Sequence, residues 1–479
     1  MSEVYNDIKV PYPKEGIIRD AEVSNSIASE ESVQLALNLN FDSLGSTTLR
    51  KGLTVYGDTP GSGVIVSLSS WAENSSSNRR LLIQSDDEMY SSNAGVSTLV
   101  RTMTSDNKAR FKQFTNYTYM VNGNASLGGD PVQSFDGTTF GTTNVADLQK
   151  GDYIEAYEGR IWIADKAEDK LYYSDIVDPA GVITGGLEFI SKISPQDGQS
   201  FTALKTYVRS MLVFKQNNIY RVYSSEAVDP YPAYFVGTYS QESIVEAKNG
   251  LYFHHSSGFY RFNDSGQPQE ISRRISDIVA SIQRVNYDNV FGWKSQDENQ
   301  VYWHVGDVTI NRIVYPDVVL RYTISTEIWT IYSYRKNITA AINFDTGVEI
   351  KPLVGTTDTV VAEMDNGKTD LGKPIYYDII SHWSGYTETM SKYKKASRVA
   401  YYHENAAGAL LSMQVDEDFR SKWTPVGKLT EKVVTYISLP NDRKFNRARW
   451  RISGESSGDP LRLYGSDIIS LADLGYREN

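Results

Sequence analysis

The sequence of 479 residues contains no cysteine. Disulfide scaffolds, Cys-ligated zinc sites and thiol nucleophiles are therefore excluded, and stability has to come from burial and strand pairing. No stretch approaches the ~18 consecutive apolar residues that a membrane span needs, and the N-terminus lacks the basic and apolar regions of a signal peptide. We therefore expect a protein without a membrane span that folds in the cytoplasm.

The common catalytic and cofactor motifs are also missing. The five histidines form neither an H-x-x-x-H nor an H-E-x-x-H arrangement, and there is no G-x-S-x-G elbow, Walker A loop or Rossmann fingerprint. Carboxylate groups such as Asp86-Asp87-Glu88 and Asp416-Glu417-Asp418 lie in predicted turns, where solvated charge is the usual explanation. The sequence therefore predicts no catalytic residue, cofactor or metal site, and a protein that is not an enzyme.

The net charge is −11, with an isoelectric point near 5.2. Proteins that coat nucleic acid neutralise phosphates with basic residues, so this balance argues against such a role. It is compatible with a channel through which DNA passes, because an acidic wall repels phosphate.

A hairpin pattern recurs along most of the chain. Two short aliphatic and aromatic runs are separated by a polar turn, which is typical of paired strands. The clearest copies are 160–164 with 171–174, 211–214 with 219–223, 251–254 with 259–262, and 301–304 with 318–322; weaker copies are 80–83 with 88–90, 117–121 with 134–136, and one beginning near 338. They start roughly 40 to 50 residues apart, the period of a propeller blade. We predict an all-β protein with a β-propeller of six or seven blades over residues 33–374.

The two ends of the chain differ from this repeat. Residues 1–32 are polar and irregular, so we expect an arm that is flexible or ordered by a partner. After residue 374 the repeat is lost, and new alternating runs predict a C-terminal β-sandwich-like domain over residues 375–479. The alternative for this region is a set of strands that completes the last blade plus a smaller appended sheet.

One segment has helical periodicity. Ile275, Ile278, Val279 and Ile282 fall at positions that share one helix face, and Ser272 precedes them as a candidate N-cap. We predict one short amphipathic helix that packs on the rim of the propeller, or alternatively binds a partner. Its basic residues Arg273 and Arg274 are candidate interface residues.

The basic run from Arg443 to Arg451 is the most informative charge feature. Strand alternation puts Arg447, Arg449 and Arg451 on one face and the apolar residues between them on the other. Neighbouring arginines repel one another unless something neutralises them. A neighbouring subunit, acidic groups of the same chain or solvent, and a phosphate backbone are the three candidates, and a subunit interface is preferred.

Several segments together resemble a known family. The entry segment ALNLNFDSLGSTTLRKGLTVYG, the hairpin segments GRIWIADKAEDKLYYSD and SPQDGQSFTALKTYVRSMLVFKQNNIYRVY, and the ending DPLRLYGSDIISLADLGYR are similar to the β-propeller tail proteins of short-tailed bacteriophages. These proteins form the hub or nozzle below the portal and stabilise packaged DNA. The resemblance covers roughly residues 33–477, and Gln196-Asp197-Gly198 with the following hairpin matches best.

The resemblance implies a structural protein of the virion tail, assembled in the host cytoplasm. It implies a ring of about six copies that contacts the portal or adaptor, other tail proteins and tail fibres or spikes, and through which double-stranded DNA passes during ejection. The alternative is a carbohydrate-binding or carbohydrate-cleaving propeller used in host adsorption, which for cleavage requires two acidic groups in the central pocket.

Overall fold

The structure is a computed structural model. It describes residues 5–10, 13–19, 31–41, 46–74, 78–124, 128–141, 148, 150–177, 183, 188–190, 193, 197–225, 227–229, 231–248, 250–264, 266–334, 336–384, 392–415, 422–439, 444–458 and 461–476. Within these residues the protein is almost entirely antiparallel β-structure, which confirms the predicted fold class.

Five strands precede the first blade. They are β1 (Tyr5–Val10), β2 (Val33–Leu37), β3 (Leu39–Phe41), β4 (Thr47–Leu49) and β5 (Thr54–Val55).

In the described part of the chain, the next twenty-six strands build seven antiparallel blades, of which six are separate small sheets and the sixth belongs to a nine-stranded sheet. The first blade consists of β6 (Ile65–Ala72), β7 (Arg79–Ser85), β8 (Glu88–Asn93) and β9 (Val96–Thr102). The second consists of β10 (Arg110–Phe114), β11 (Tyr117–Val121), β12 (Gln133–Phe135) and β13 (Phe140–Gly141). The third consists of β14 (Tyr153–Tyr157), β15 (Arg160–Asp165), β16 (Lys170–Tyr173) and β17 (Glu188–Ile190). The fourth and fifth are β18 (Phe201–Tyr207), β19 (Ser210–Lys215), β20 (Ile219–Val222); and β21 (Val245–Ala247), β22 (Gly250–His255), β23 (Gly258–Phe262), β24 (Gln269–Glu270). The last two are β25 (Phe291–Lys294), β26 (Gln300–Ile310), β27 (Ile313–Thr323), β28 (Ile328–Ser333); and β29 (Ile338–Asp345), β30 (Ile350–Thr356), β31 (Val361–Glu363).

Each pair of neighbouring blades shares a hydrophobic core, which is why one small sheet is stable only inside the ring. Trp162 and Met211 belong to the core between the third and fourth blades, and Phe214 and Phe253 to the next core. The last and first blades share a core that includes Ile65 with the seventh-blade residues Phe344 and Leu353. Within the described residues, seven blades therefore follow one another around a closed ring.

The seventh blade takes its outermost strand from the beginning of the propeller. β5 pairs with β31, with Val55 opposite Ala362 and Thr54 opposite Glu363. The ring is therefore closed by strands that are far apart in the sequence, which is the usual way for a propeller to remove an open seam.

The remaining strands form the C-terminal module. They are β32 (Ile375–Ser381), β33 (Lys392–Glu404), β34 (Leu410–Val415), β35 (Thr424–Lys428), β36 (Val434–Ser438), β37 (Ala448–Ser456) and β38 (Arg462–Tyr476). One sheet has the order β3-β4-β38-β33-β36, and the other continues the sixth blade as β28-β2-β32-β37-β34-β35. The two sheets share a core that includes Val399, Leu411, Ile452 and Ile468. The two sheets therefore pack on each other through this core, and one of them is an extension of the sixth blade.

The sheet boundaries differ from the predicted domain boundaries at the N-terminal side. β2 joins β28 to β32, and β4 pairs with β38, so these two strands pair with the C-terminal module instead of opening the first blade. β1 also pairs with β38, so this part of the predicted arm is ordered by its own chain. The local sequence pattern does not predict these pairings, because the two strands of each pair lie hundreds of residues apart in the sequence.

The predicted helix is shorter than expected. A 3-10 turn, Arg273–Ile275, leads into α1 (Ser276–Ser281), and a further 3-10 segment, Arg284–Asn289, follows. The apolar face is confirmed, because Ile275, Ile278, Val279 and Ile282 are all buried. The prediction that Ser272 caps the helix through its side chain is wrong. Its hydroxyl instead accepts a hydrogen bond from Phe259 N in the fifth blade.

Candidate interface surfaces

The axis of a propeller is the usual place for a ligand pocket, and in this protein charged side chains lie along it. The first strands of the blades contact one another in succession and line this axis. They contain three carboxylates, and each one has a cation partner: Glu155 pairs with Lys112, Glu246 with Lys205 at 2.9 Å, and Asp345 with Arg79 at 3.6 Å. Among the described residues, these strands offer no free pair of acids for general acid and base work.

A fourth carboxylate links opposite parts of the ring. Glu242 lies in the 3-10 turn Gln241–Ser243 before the fifth blade, and its Oε1 is 2.8 Å from Arg110 Nε and 3.9 Å from Lys108 Nζ, both at the start of the second blade. Arg110 also lies over the ring of Tyr153, 4.6 Å from its centroid. Although burial raises the pKa of a carboxyl group, Arg110 and Lys108 lower the pKa of Glu242 to about 2.

These bonds cross the middle of the ring. Lys108 additionally lies 5.8 Å from the ring centroid of Phe291 in the sixth blade, so the second, third, fifth and sixth blades all contribute to one cluster. We call Lys108, Arg110, Tyr153, Glu242 and Phe291 the axial cluster. It joins blades that are not neighbours, and its side chains contact one another across the axis.

The arginine strand has the predicted alternation. Along β37, Ala448, Trp450 and Ile452 are buried, whereas Arg449 and Arg451 are half-buried on the other face. Two of the predicted interface arginines therefore share a face, as the sequence pattern indicated.

Arg451 is neutralised inside the chain. Its Nε and Nη2 bond both oxygens of Asp378, with the shortest distance 2.7 Å, and the Asp378 side chain has no exposed surface. Burial acts against a charged guanidinium, yet the bond to Asp378 raises the pKa of Arg451. This is the intrachain pairing that the sequence had left open, so Arg451 is a structural residue of the module.

Arg449 is held differently. Its guanidinium lies 4.7 Å from the ring of Trp383 and 5.2 Å from the ring of Trp423, and it donates to the amide oxygens of Gln414 and Gln34. Its partners in the described part of the chain are aromatic rings and amides, which stabilise a cation less than a carboxylate does. Burial, together with the charge of Arg19, lowers the pKa of Arg449 to about 10.

The other predicted interface residues are spread over the module and the rim. Arg447 is half-buried and has further contacts, and Arg443 lies outside the described residues. Arg273 and Arg274 are exposed on the 3-10 turn before α1. Of the six predicted interface arginines, Arg449 and Arg451 therefore lie on one face of β37, and Arg273 and Arg274 lie on the exposed 3-10 turn.

An exposed aromatic surface on the fourth blade was missed by the sequence reading. This blade has three strands, and the segment 227–235 follows the edge of β20 in place of a fourth strand. Tyr231 and Phe235 in this segment are 79% and 78% exposed. The signal was present in the sequence as Pro-Tyr-Pro-Ala-Tyr-Phe at 230–235, but it has no strand periodicity. We call residues 227–235 the aromatic loop.

A groove lies where the sixth blade meets the C-terminal module. β26 and β27 are eleven residues long and extend beyond the other blades, and the turn between them has positive φ at Asn311 and Arg312. Beside this tip is a cavity of about 310 Å³. We call it the hairpin groove; its walls include Leu37, Ile313, Val314, Pro316, Tyr376 and Arg451.

The best-matching sequence motif has a structural role. Asp197 accepts a hydrogen bond from Gln199 N at 3.0 Å and bonds the fully buried amine of Lys215 at 3.0 Å. Tyr220 donates to its other oxygen, and Asp169 from the third blade bonds the same amine. The motif therefore fixes the contact between the third and fourth blades; Gln196 lies outside the described residues.

The histidines are held as structural groups. His304 bonds Asp317 at 2.8 Å, and His403 bonds Thr435 at 2.9 Å. His254 is fully buried against Phe259, and burial lowers its pKa to about 3. Over the described ranges, no group of three or more His, Asp or Glu residues has a geometry that could hold a metal ion.

Comparisons with known proteins identify no family for this chain. No protein-family model matches the sequence, and no curated protein matches it. Solved structures that resemble it include the computationally designed Ika8 protein (11% identity, TM-score 0.39, 65% of this chain and 99% of that one). Another is the WD40 domain of Neurospora crassa Pan2, with 8% identity and a TM-score of 0.39 over 67% of this chain and 96% of that one. A third is the extracellular domain of the putative one-component system BT4673 from B. thetaiotaomicron, with 10% identity and a TM-score of 0.44 over 90% of this chain and 64% of that one.

The helical segments that the structure describes are short. In the part of the chain that it describes, the helical segments are all too short to span a bilayer.

Proposed function

We propose that this protein is a structural component of a short-tailed bacteriophage tail, a hub or nozzle. About six copies form a ring that retains packaged DNA and conducts it during ejection. The proposal starts from the resemblance of residues 33–477 to such proteins. Its partners are other copies of the chain, the portal or adaptor, and further tail proteins.

The observation that carries the proposal is the state of the propeller axis. In the described part of the chain, the carboxylates of the strands that line it are ion-paired, and the axial cluster occupies its middle. Because the axial cluster crosses the middle of the axis, the proposal places the functional contacts on the outer surface of the propeller. In a ring, the passage for DNA is then the space enclosed by several copies, because the axis of each propeller is occupied.

The distribution of charge fits such a passage. The C-terminal 105 residues contain 15 Lys and Arg against 13 Asp and Glu, so the first 374 residues carry a net charge of −13. Acidic propellers that face the passage would repel the DNA backbone and reduce its adhesion to the wall.

The experiment compares particles with and without this protein. Phage particles assembled without it should package DNA and then lose it, and the density at the lower end of the portal should be absent in negative-stain images. Purified protein added back should restore DNA retention and appear on the tail axis. Particles that retain DNA without the protein, or protein found only on peripheral fibres, would contradict the proposal.

A second function is favoured by one observation. The aromatic loop exposes two large rings, and exposed aromatic rings stack on sugars in carbohydrate-binding proteins. The protein would then bind host polysaccharide during adsorption. Retention of the purified chain on immobilised host polysaccharide, lost in the Tyr231→Ser/Phe235→Ser variant, would support this function. The paired acids along the axis argue against cleavage.

A further inference from the structure

We propose that the aromatic loop of one copy docks in the hairpin groove of a second copy, and that this contact builds the ring. The inference rests on the proposed ring-forming function and adds which two surfaces meet. The occupant of the groove is therefore a second copy of this chain.

The aromatic loop is rigidly supported by its own blade. Asp229 N donates to Arg221 O at 3.1 Å, and Ala233 N donates to Ile219 O at 2.8 Å, so both ends of the loop are attached to β20. Tyr234 is buried and its hydroxyl accepts a 2.5 Å bond from Arg221. A loop held in this way loses little conformational entropy on binding, which favours it as an interface anchor.

The two exposed rings are the type of side chain that dominates interface energetics. Tyr231 and Phe235 are the two most exposed aromatic residues in the described chain. Aromatic side chains bury a large area with few rotatable bonds, and interface hot spots are enriched in tyrosine and tryptophan. Their exposure on a well-anchored loop is unexplained within a single copy.

The hairpin groove is complementary in size and polarity. Its volume of about 310 Å³ accommodates an aromatic side chain, and its tip exposes Ile313 and Val314, which are 46% and 61% exposed. An aromatic ring placed there covers these aliphatic side chains, so both partners remove apolar surface from water.

The charges around the two surfaces are opposite. Among the described residues between 224 and 236, Asp229 is acidic and none is basic. The turn of the hairpin presents the exposed Arg312, for which the described residues provide no ion-pair partner. Complementary charges at the rim set the register of an interface and suppress wrong pairings.

The position of the surfaces fits a ring. The aromatic loop is on the fourth blade and the groove is on the sixth, so each copy presents two different surfaces to two different neighbours. Such heterologous contacts generate a closed ring when the rotation between copies closes.

The test uses the cysteine-free background of the chain. Tyr231→Cys and Val314→Cys each introduce one thiol, and the two full-length single variants are mixed under mild oxidation. We expect a covalent dimer that forms from the mixture, is absent when Val348→Cys replaces Val314→Cys, and is reversed by reduction. Val348 is a matched control because it is 95% exposed in a turn of the seventh blade.

Substitutions of the loop provide the second measurement. Tyr231→Ser/Phe235→Ser should raise at least tenfold the concentration at which half of the chain is assembled, as measured by light scattering. The control Tyr436→Ser, at a residue that is 62% exposed in the C-terminal module, should leave it unchanged. Thermal unfolding of each variant monomer should match that of the unaltered chain.

The outcomes separate the two proposals. Rings of the unaltered chain that neither cross-link at these positions nor respond to the loop variant would overturn the docking and leave the ring function standing. Loss of polysaccharide binding with intact rings would assign the loop to a sugar instead. A chain that forms no ring and joins no tail would contradict the function itself.

Discussion

Arg50 and Asp370, 320 residues apart, form a two-pronged ion pair with bonds of 2.6 and 2.7 Å and almost no exposed surface. Arg50 also donates to Asn38 and lies 3.9 Å from the ring of Tyr334. The amide of Asn38 in turn donates to carbonyls of the sixth blade and of β32. This pair fastens the N-terminal strands, the end of the propeller and the C-terminal module at one point.

Removing one side chain of the Arg50–Asp370 pair should lower the free energy of unfolding far more than removing both. We expect Asp370→Ala to lower the free energy of unfolding by about 3–5 kcal/mol, because it leaves a buried guanidinium without its carboxylate. Arg50→Met/Asp370→Leu should cost much less, since neither charge remains. Urea unfolding measures both, and Glu168→Ala in the exposed Lys170–Glu168 pair is the control, expected to leave the free energy of unfolding nearly unchanged. A single variant no worse than this control would contradict the role of the pair.

His254 should make stability depend on pH. Its pKa is about 3 in the folded protein because of burial, whereas an unfolded histidine has a pKa of ~6.5. Below ~6.5 the unfolded chain therefore binds a proton that the folded chain does not, and stability falls with acid. His254→Leu should reduce the slope of unfolding free energy between pH 6 and 4.5 by about 1.4 kcal/mol per pH unit. Equal slopes in both proteins would show that His254 is already charged when folded.

Glu242 should hold the axial cluster together. Glu242→Ala leaves Arg110 and Lys108 facing each other without their carboxylate, and we expect a loss of about 2–3 kcal/mol in unfolding free energy. Glu246→Ala is the matched control, because Glu246 is 51% exposed in its pair with Lys205. Because the pKa of Glu242 is lowered to about 2, its contribution should disappear only as the pH falls from ~4.5 towards 2.

Charge reversals should separate structural from interface arginines. Arg451→Glu places a second carboxylate beside buried Asp378, so we expect the isolated chain to lose about 3–5 kcal/mol of stability. Arg273→Glu/Arg274→Glu changes two exposed side chains and should leave the stability within about 0.5 kcal/mol.

Assembly then tests the interface role of the exposed pair. If Arg273 and Arg274 contact a neighbour, their reversal should weaken ring formation in light scattering, whereas the exposed control Lys166→Glu/Lys428→Glu should not. Unchanged assembly in both variants would remove these two residues from the proposed interface.

The inner hairpins of the blades could be predicted because both of their faces are buried. Strands such as β15 and β19 consist almost wholly of buried residues, so they appear as continuous apolar runs. The outermost strands β13 and β24 are two residues long and half-exposed or exposed, and they leave no such signal.

The candidate surfaces were less predictable, for a related reason. The alternation of Arg449 and Arg451 is local and was read correctly, but the partners that distinguish the two residues come from β32 and from tryptophans on other segments. The aromatic loop follows an edge without regular pairing, and the hairpin groove exists only after two parts of the chain meet. Single-sequence patterns report periodicity, and these features depend on distant contacts.

The pairing of β5 with β31 also determines when the ring can close during synthesis. β5 emerges from the ribosome early, but its partner β31 follows only after some 300 further residues, which takes about 15–60 seconds at ~5–20 residues per second. Until then the ring is an open chain of blades with a free edge at each end. A chain truncated before β31 lacks the partner of β5 and therefore cannot close the ring of blades in this way.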